Sequence, residues 1–229
     1  MMRLGLLLIL VFTLSLVNAG PKRVQVHCLP KWQKQAAALG TWYPLEKGDS
    51  LQFGRIRFYL GNIQLINNGR VVWMDSVAYH LLDAGSPATL SISLDPPNKV
   101  DYDTMRFSIG TDSITNAGGV KGGDLDPMHG MYWAWQSGYI NVQLEGHSNK
   151  SKDPKKEFQF HLGGFLPPDA TIQFLEMPIK STTSIDLALQ LDVFFDAIDW
   201  DRGAHVMSPS NEAVRLSKRF AEAIQFKVK

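Results

Sequence analysis

The sequence predicts an all-β chain: an antiparallel β-sandwich with a C-terminal amphipathic helix. Three observations carry that expectation. Apolar and polar residues alternate with period two in short stretches from residue 24 to residue 195, the pattern of strands with one buried face. The stretches recur about every ten to fifteen residues, separated by Gly, Pro and Asn turns, as in sandwiches and barrels. Past Ser208 the apolar period becomes helical.

Val24-Gln25-Val26-His27 opens the series, and Leu51 to Phe58 follows with Arg55 and Arg57 alternating against Ile56 and Phe58. Ile63 to Ile66 meets Val71-Val72-Trp73 across Asn67-Asn68-Gly69. That is a hairpin signal, because Asn-Gly tolerates the positive φ of a type I′ turn. Further strands are expected at Val77–Leu82, Thr89–Leu94, Met105–Ile109, Tyr139–Leu144, Glu157–Leu162, Thr171–Leu175 and Leu187–Phe195. Ser148 to Lys156 (SNKSKDPKK) reads as a solvated loop between two of them. Ser208-Pro209 reads as a helix N-cap with proline at the first position. From there Ala213, Leu216, Phe220, Ala223 and Ile224 form one apolar stripe, predicting a helix over 209–226 packed on the sandwich. No helices alternate with the strands, which argues against a doubly wound α/β fold.

Composition sets the context. With 23 basic and 22 acidic residues the chain is nearly neutral, so nothing electrostatic favours nucleic acid or an anionic membrane as partner. Residues 1–19 read as a cleaved secretory signal: Arg3 precedes an apolar run from Leu6 to Val17, and Ala19 offers a small residue at the cut. The run is short for a bilayer span and no other segment approaches one. Residues 20–229 are therefore expected to form a single exported domain, periplasmic or at the cell surface, without a transmembrane segment. The single cysteine, Cys28, has no internal disulfide partner and reads as a buried apolar side chain.

Chemistry-bearing residues are few. In Glu157–Leu162 the residues Phe158, Phe160 and Leu162 share one face, which puts His161 with Gln159 on the more polar side. In Tyr139–Glu145, Ile140, Val142 and Leu144 face the core while Asn141, Gln143 and Glu145 oppose it. Met128-His129-Gly130-Met131 and His205-Val206-Met207 set imidazole beside thioether, a donor pair suited to copper, especially Cu(I), and unsuited to calcium or magnesium. Asp124-Leu-Asp126 and the Asp196, Asp199 and Asp201 run lack a calcium-loop spacing and read as loop caps. No nucleophile elbow, phosphate-cradling glycine loop or Cys-His pairing is present, so no enzyme activity is expected.

One resemblance is specific. Met131-Tyr132-Trp133-Ala134-Trp135-Gln136-Ser137-Gly138-Tyr139, followed by Phe160-His161-Leu162-Gly163, resembles the MbnP family of exported copper-binding proteins. Phe58 to Leu65 and Phe107-Ser108-Ile109-Gly110 are similar to its earlier blocks, so the likeness spans roughly residues 50 to 175. The resemblance implies a β-rich periplasmic or surface protein of copper acquisition, with metal as partner and a protein partner at the cell envelope. It maps a family copper ligand onto His161. The family's second ligand comes from an Asn-His pair, sometimes with an oxidised tryptophan two residues earlier. Here that place reads Thr115-Asn116-Ala117, without the histidine or the tryptophan. The expected metal residues are therefore His161, His129, Met131, His205 and Met207. The rival expectation is a metal-free interaction module with an aromatic surface at Trp133, Trp135 and Tyr139, since aromatic residues anchor interfaces.

Overall fold

The computed structural model describes residues 23–98, 100–179 and 182–228; the expected leader at 1–19 lies outside them. In chain order the strands begin β1 (Val24–Trp32), β2 (Gln35–Ala36), β3 (Trp42–Pro44), β4 (Ser50–Asn67), β5 (Arg70–Met74), β6 (Tyr79–Asp83), β7 (Ser91–Leu94) and β8 (Thr104–Ile109). Helix α1 (Ser113–Ala117) precedes β9 (Tyr132–Trp133), β10 (Gly138–Ser148), β11 (Glu157–Gly163), β12 (Gln173–Pro178) and β13 (Ser184–Gln190). Helix α2 (Leu191–Asp196), β14 (His205–Val206), α3 (Asn211–Glu222) and β15 (Ile224–Val228) complete the described chain.

Two sheets form the sandwich. The smaller runs β15-β13-β1-β2 with β7 beside β1. The larger runs β12-β8-β4-β10-β11-β14, with β3, β5 and β6 on the other flank of β4 and β9 beside β10. Val24, Val26, Ile185 and Leu187 from the small sheet share one core with Phe53, Phe58, Leu144, Phe158 and Phe160 from the large one. Helices α2 and α3 close that core with Phe194, Phe195, Leu216 and Phe220. Cys28 lies in it too, and burial pushes its thiol up to about 12.

The long strand β4 reaches both halves of the large sheet by changing which parity faces inward. Its pairing with β10 skips Gly54, between Phe53↔Gly146 and Arg55↔Glu145. Its pairing with β8 breaks again between Gly61 and Gln64, where Asn62 has φ 51°. Each extra residue flips the alternation. Leu51 and Phe53, then Ile56, Phe58 and Leu60, then Ile63 and Leu65 therefore all reach the same core.

The hairpin at Asn67-Asn68-Gly69 forms as expected, with φ of 49° and 76° at Asn68 and Gly69 and Asn67 paired with Arg70. The 148–156 loop joins β10 to β11. Several boundaries differ from expectation. The stretch 187–195 is not one strand: β13 ends at Gln190 and α2 begins, burying Leu191, Phe194 and Phe195 at helical spacing. Its apolar run fits both periods, and length alone does not arbitrate. Helix α3 is capped by Ser210, whose Oγ accepts from Ala213 N at 3.2 Å, not by Ser208. It stops at Glu222, and the residues expected in its last turn enter β15. The sandwich is also not purely antiparallel, since β1–β13 and β11–β14 are parallel pairs.

Candidate functional site

The outer face of the large sheet divides into an apolar and a polar half. Tyr59, Tyr79, Leu81, Leu125, Met131, Trp133, Tyr139 and Ile140 form a satellite core under the segment that leads into β10. Ile140 belongs to this outer cluster rather than to the inner face with Val142, because the β10–β11 register shifts between them. The extra residue, Asn141, is buried and tied to Thr111 and Thr171. Met131 is wholly buried there and is packing. Trp133 and Tyr139 are buried in the same cluster, whereas Trp135 is 65% exposed and lies 5.7 Å from the Trp133 ring.

The polar half is built from two cross-strand rows. Asp83, Arg57, Gln143 and His161 are successive partners across β6, β4, β10 and β11. Arg55, Glu145, Gln159 and His205 are successive partners across β4, β10, β11 and β14. The alternation read from the sequence placed His161, Gln143 and Glu145 on this side correctly. What it missed is that they touch.

His161 Nε2 lies 2.7 Å from Glu145 Oε1 and 3.2 Å from Gln143 Nε2. The Gln143 amide also donates to Glu145 Oε1 at 3.1 Å, and Arg55 pairs with Glu145 Oε2 at 3.2 Å. The hydrogen bond from His161, with help from Arg55, holds the Glu145 carboxyl below its ordinary range against the cost of burial. His161 is 8% exposed and Gln143 2%. The Gln143 Oε1 atom is buried without a hydrogen-bond partner, a state that costs about 1–3 kcal/mol.

The other sequence-predicted residues fall in two places. His129 is exposed over β4, where its carbonyl accepts from Arg57 Nη1 at 2.9 Å and its Nδ1 meets the Asp124 carbonyl at 3.2 Å; Met128 beside it is 90% exposed. They do not join His161. His205 and Met207 lie at the other edge, beyond β11, and line one cavity of about 270 Å³. His205 Nε2 faces Asp153 Oδ2 at 3.4 Å. Among the described residues, no group of three or more His, Cys, Asp or Glu side chains converges on one point. Asp126 and Asp199 cap their loops, accepting from Met128 N and Asp201 N. Asn116 is committed to structure: its amide donates to Thr111 Oγ1 and the Asp112 carbonyl, and its oxygen accepts from Tyr139 N. Ala117 follows it, exposed.

The MbnP family profile matches residues 21–208 of this chain. The chain belongs to the MbnP family. Its fold is similar to that of MbnP from Methylosinus trichosporium, with a TM-score of 0.58 at 14% identity, covering 81% of this chain and 80% of that one. No curated protein matches it in sequence. Within this MbnP-family fold, His161 sits on β11 and the Trp133–Gly138 segment packs against it: a Cβ on Gly163 would meet the Trp133 ring at 2.6 Å. Among the described residues, no helix is long and apolar enough to cross a membrane.

Proposed function

We propose that this MbnP-family protein is an exported metal-binding protein, with copper as its cargo and His161 as its principal ligand, and that it has no enzymatic activity. One observation carries the reading beyond family resemblance: the Glu145 carboxylate clamps the His161 ring through Nε2. Histidines that bind metals are usually held in this way, the far ring nitrogen donating to a carboxylate that fixes tautomer and orientation. His161 Nδ1 has no hydrogen-bond partner among the described residues and keeps its lone pair for a metal. The Gln143 amide that meets His161 Nε2 leaves its own Oε1 buried and unpartnered.

Imidazole suits copper of either oxidation state. Met131 supplies no thioether, being sealed in the satellite core. Export rests on the leader read at residues 1–19 and places the protein in the periplasm or at the cell surface.

The test is elemental analysis and competitive copper titration of protein made without its leader. His161→Ala is expected to abolish stoichiometric copper. Glu145→Gln should weaken it by about ten- to a hundredfold, the usual effect of removing an orienting partner. If His161→Ala retains wild-type affinity, the assignment is wrong. A second reading, a metal-free interaction module, is favoured by one observation: Trp135 stands exposed against Trp133. It predicts a metal-free protein and a partner lost on Trp135→Ala.

A further inference from the structure

One concave site lies apart from the polar rows of the large sheet. Past the end of β11, residues 164–169 join the turn at 133–138 and Pro209 around a cavity of about 230 Å³. Its walls are mostly rings: Trp133, Phe165, Pro167 and Pro209, with Leu166 beside them. Several contacts fix these walls. The benzo edge of Trp133 rests on Gly163, where a Cβ would come within 2.6 Å, and the Phe165 ring lies over Gly138, whose Cβ would stand 3.4 Å away. Gly164 has φ 133°, and a side chain there would strike the Asp169 carbonyl. The Gly164 carbonyl accepts from Thr171 N at 3.0 Å and Thr171 Oγ1 at 3.2 Å, while Asp169 N donates to the Leu166 carbonyl at 2.9 Å. Walls set before a ligand arrives lower the entropic cost of binding it.

Among the lining side chains only Asp169 is charged, and no Lys, Arg or His accompanies it. Asp169 is half-buried, and among the described residues its carboxylate takes part in no hydrogen bond or ion pair. By contrast Asp83, Glu145 and Glu212 each hold an arginine. A carboxylate without a counter-ion beside apolar walls attracts a cation strongly, because little water screens it. The walls decide which cation. A metal ion needs several converging donors, and here one carboxylate stands alone. A primary ammonium brings three N–H donors, and besides Asp169 the lining side chains offer only the Gln136 amide oxygen as acceptor. A quaternary ammonium has no N–H to satisfy. Its methyl groups bury apolar surface against the rings, and its charge is drawn to aromatic faces.

We infer that this cavity binds the quaternary ammonium group of an organic cation, with Asp169 as counter-ion and Trp133 and Phe165 as aromatic walls. The inference does not rest on the copper reading of His161, which does not line the cavity.

The experiment titrates the leaderless protein with choline by calorimetry, with tryptophan fluorescence followed in parallel. Choline should bind saturably at one site. Its neutral isostere 3,3-dimethylbutanol, with carbon in place of the charged nitrogen, should bind at least about tenfold more weakly, and 1-butylammonium about as weakly. Asp169→Asn, which conserves shape, should weaken choline by about tenfold while the thermal midpoint stays put, and Phe165→Leu should weaken it by about fivefold. Flotation with phosphatidylcholine vesicles separates two sources of the same group. Vesicle binding that Asp169→Asn abolishes assigns it to a lipid headgroup; saturable choline binding without vesicle binding assigns it to a free ion. Absence of saturable choline binding overturns the inference, as does equal affinity for the neutral isostere or for butylammonium. So does an Asp169→Asn variant that binds choline as wild type.

Discussion

At the scale of single residues, Glu145 does more than orient a ring. Its folded carboxyl is more acidic than its ordinary 4.5 because of the His161 hydrogen bond and the nearby Arg55 charge. The sign follows from linkage: its stabilisation is complete above the unfolded value and disappears as pH falls through the lower, folded one. Urea midpoints measured from about pH 7 down to about pH 3 should therefore show a steeper acid limb for wild type than for Glu145→Gln. The variant is expected to be less stable at neutral pH, with the difference shrinking on acidification. A constant difference across the range would mean that Glu145 is not titrating against these partners. The outward direction of His161 was legible because strand alternation is local. The pairing of β14 with β11 was not: it joins segments 46 residues apart, Gln159 with His205, and nothing in either segment announces its partner.

At the scale of elements, what the sequence revealed depended on how local the cause is. The Asn68-Gly69 turn was readable because two positive φ values fall on the residues that tolerate them. The face switches of β4 were not, since Gly54 and Asn62 look ordinary until the register with β10 and β8 is known. A Cβ at Gly146 would come within 2.0 Å of the Gln52 carbonyl, a crowding that is likewise invisible before pairing. For α3 the apolar stripe was right and the ends were wrong, because cap and stop depend on Ser210 and on β15 pairing with β13. The helix gives a direct test by thermal or urea unfolding. Ser210→Ala should cost about 1 kcal/mol through the lost cap. Leu216→Asp should cost several times more, about 3–5 kcal/mol, because it drives a charge into a core position that is 1% exposed. Equal effects of the two would place the helix outside the core.

At the scale of the whole molecule, the family match ends at residue 208, yet the core does not. Phe220 lies 5.2 Å from the Phe58 ring of β4 and 6.0 Å from Phe194 of α2. Ala213, Leu216, Phe220 and Ala223 all belong to the cluster shared by both sheets. Strand β15 then covers the outer edge of β13, pairing from Leu189↔Ile224 to Ile185↔Val228. The segment beyond the matched region thus acts as a wall of the sandwich rather than an appendage. Ending the chain after Met207 would uncover those apolar surfaces together and leave β13 an unpaired edge, a combination that promotes association between chains. Burying a Leu or Phe side chain contributes about 1.5–3 kcal/mol, and a domain's whole margin is about 5–15 kcal/mol, so losing several at once should remove it. The truncated protein is expected to be insoluble or to lack a cooperative thermal transition, where the longer chain shows one. A soluble truncation with a wild-type midpoint would show that the sandwich closes without its last helix and strand.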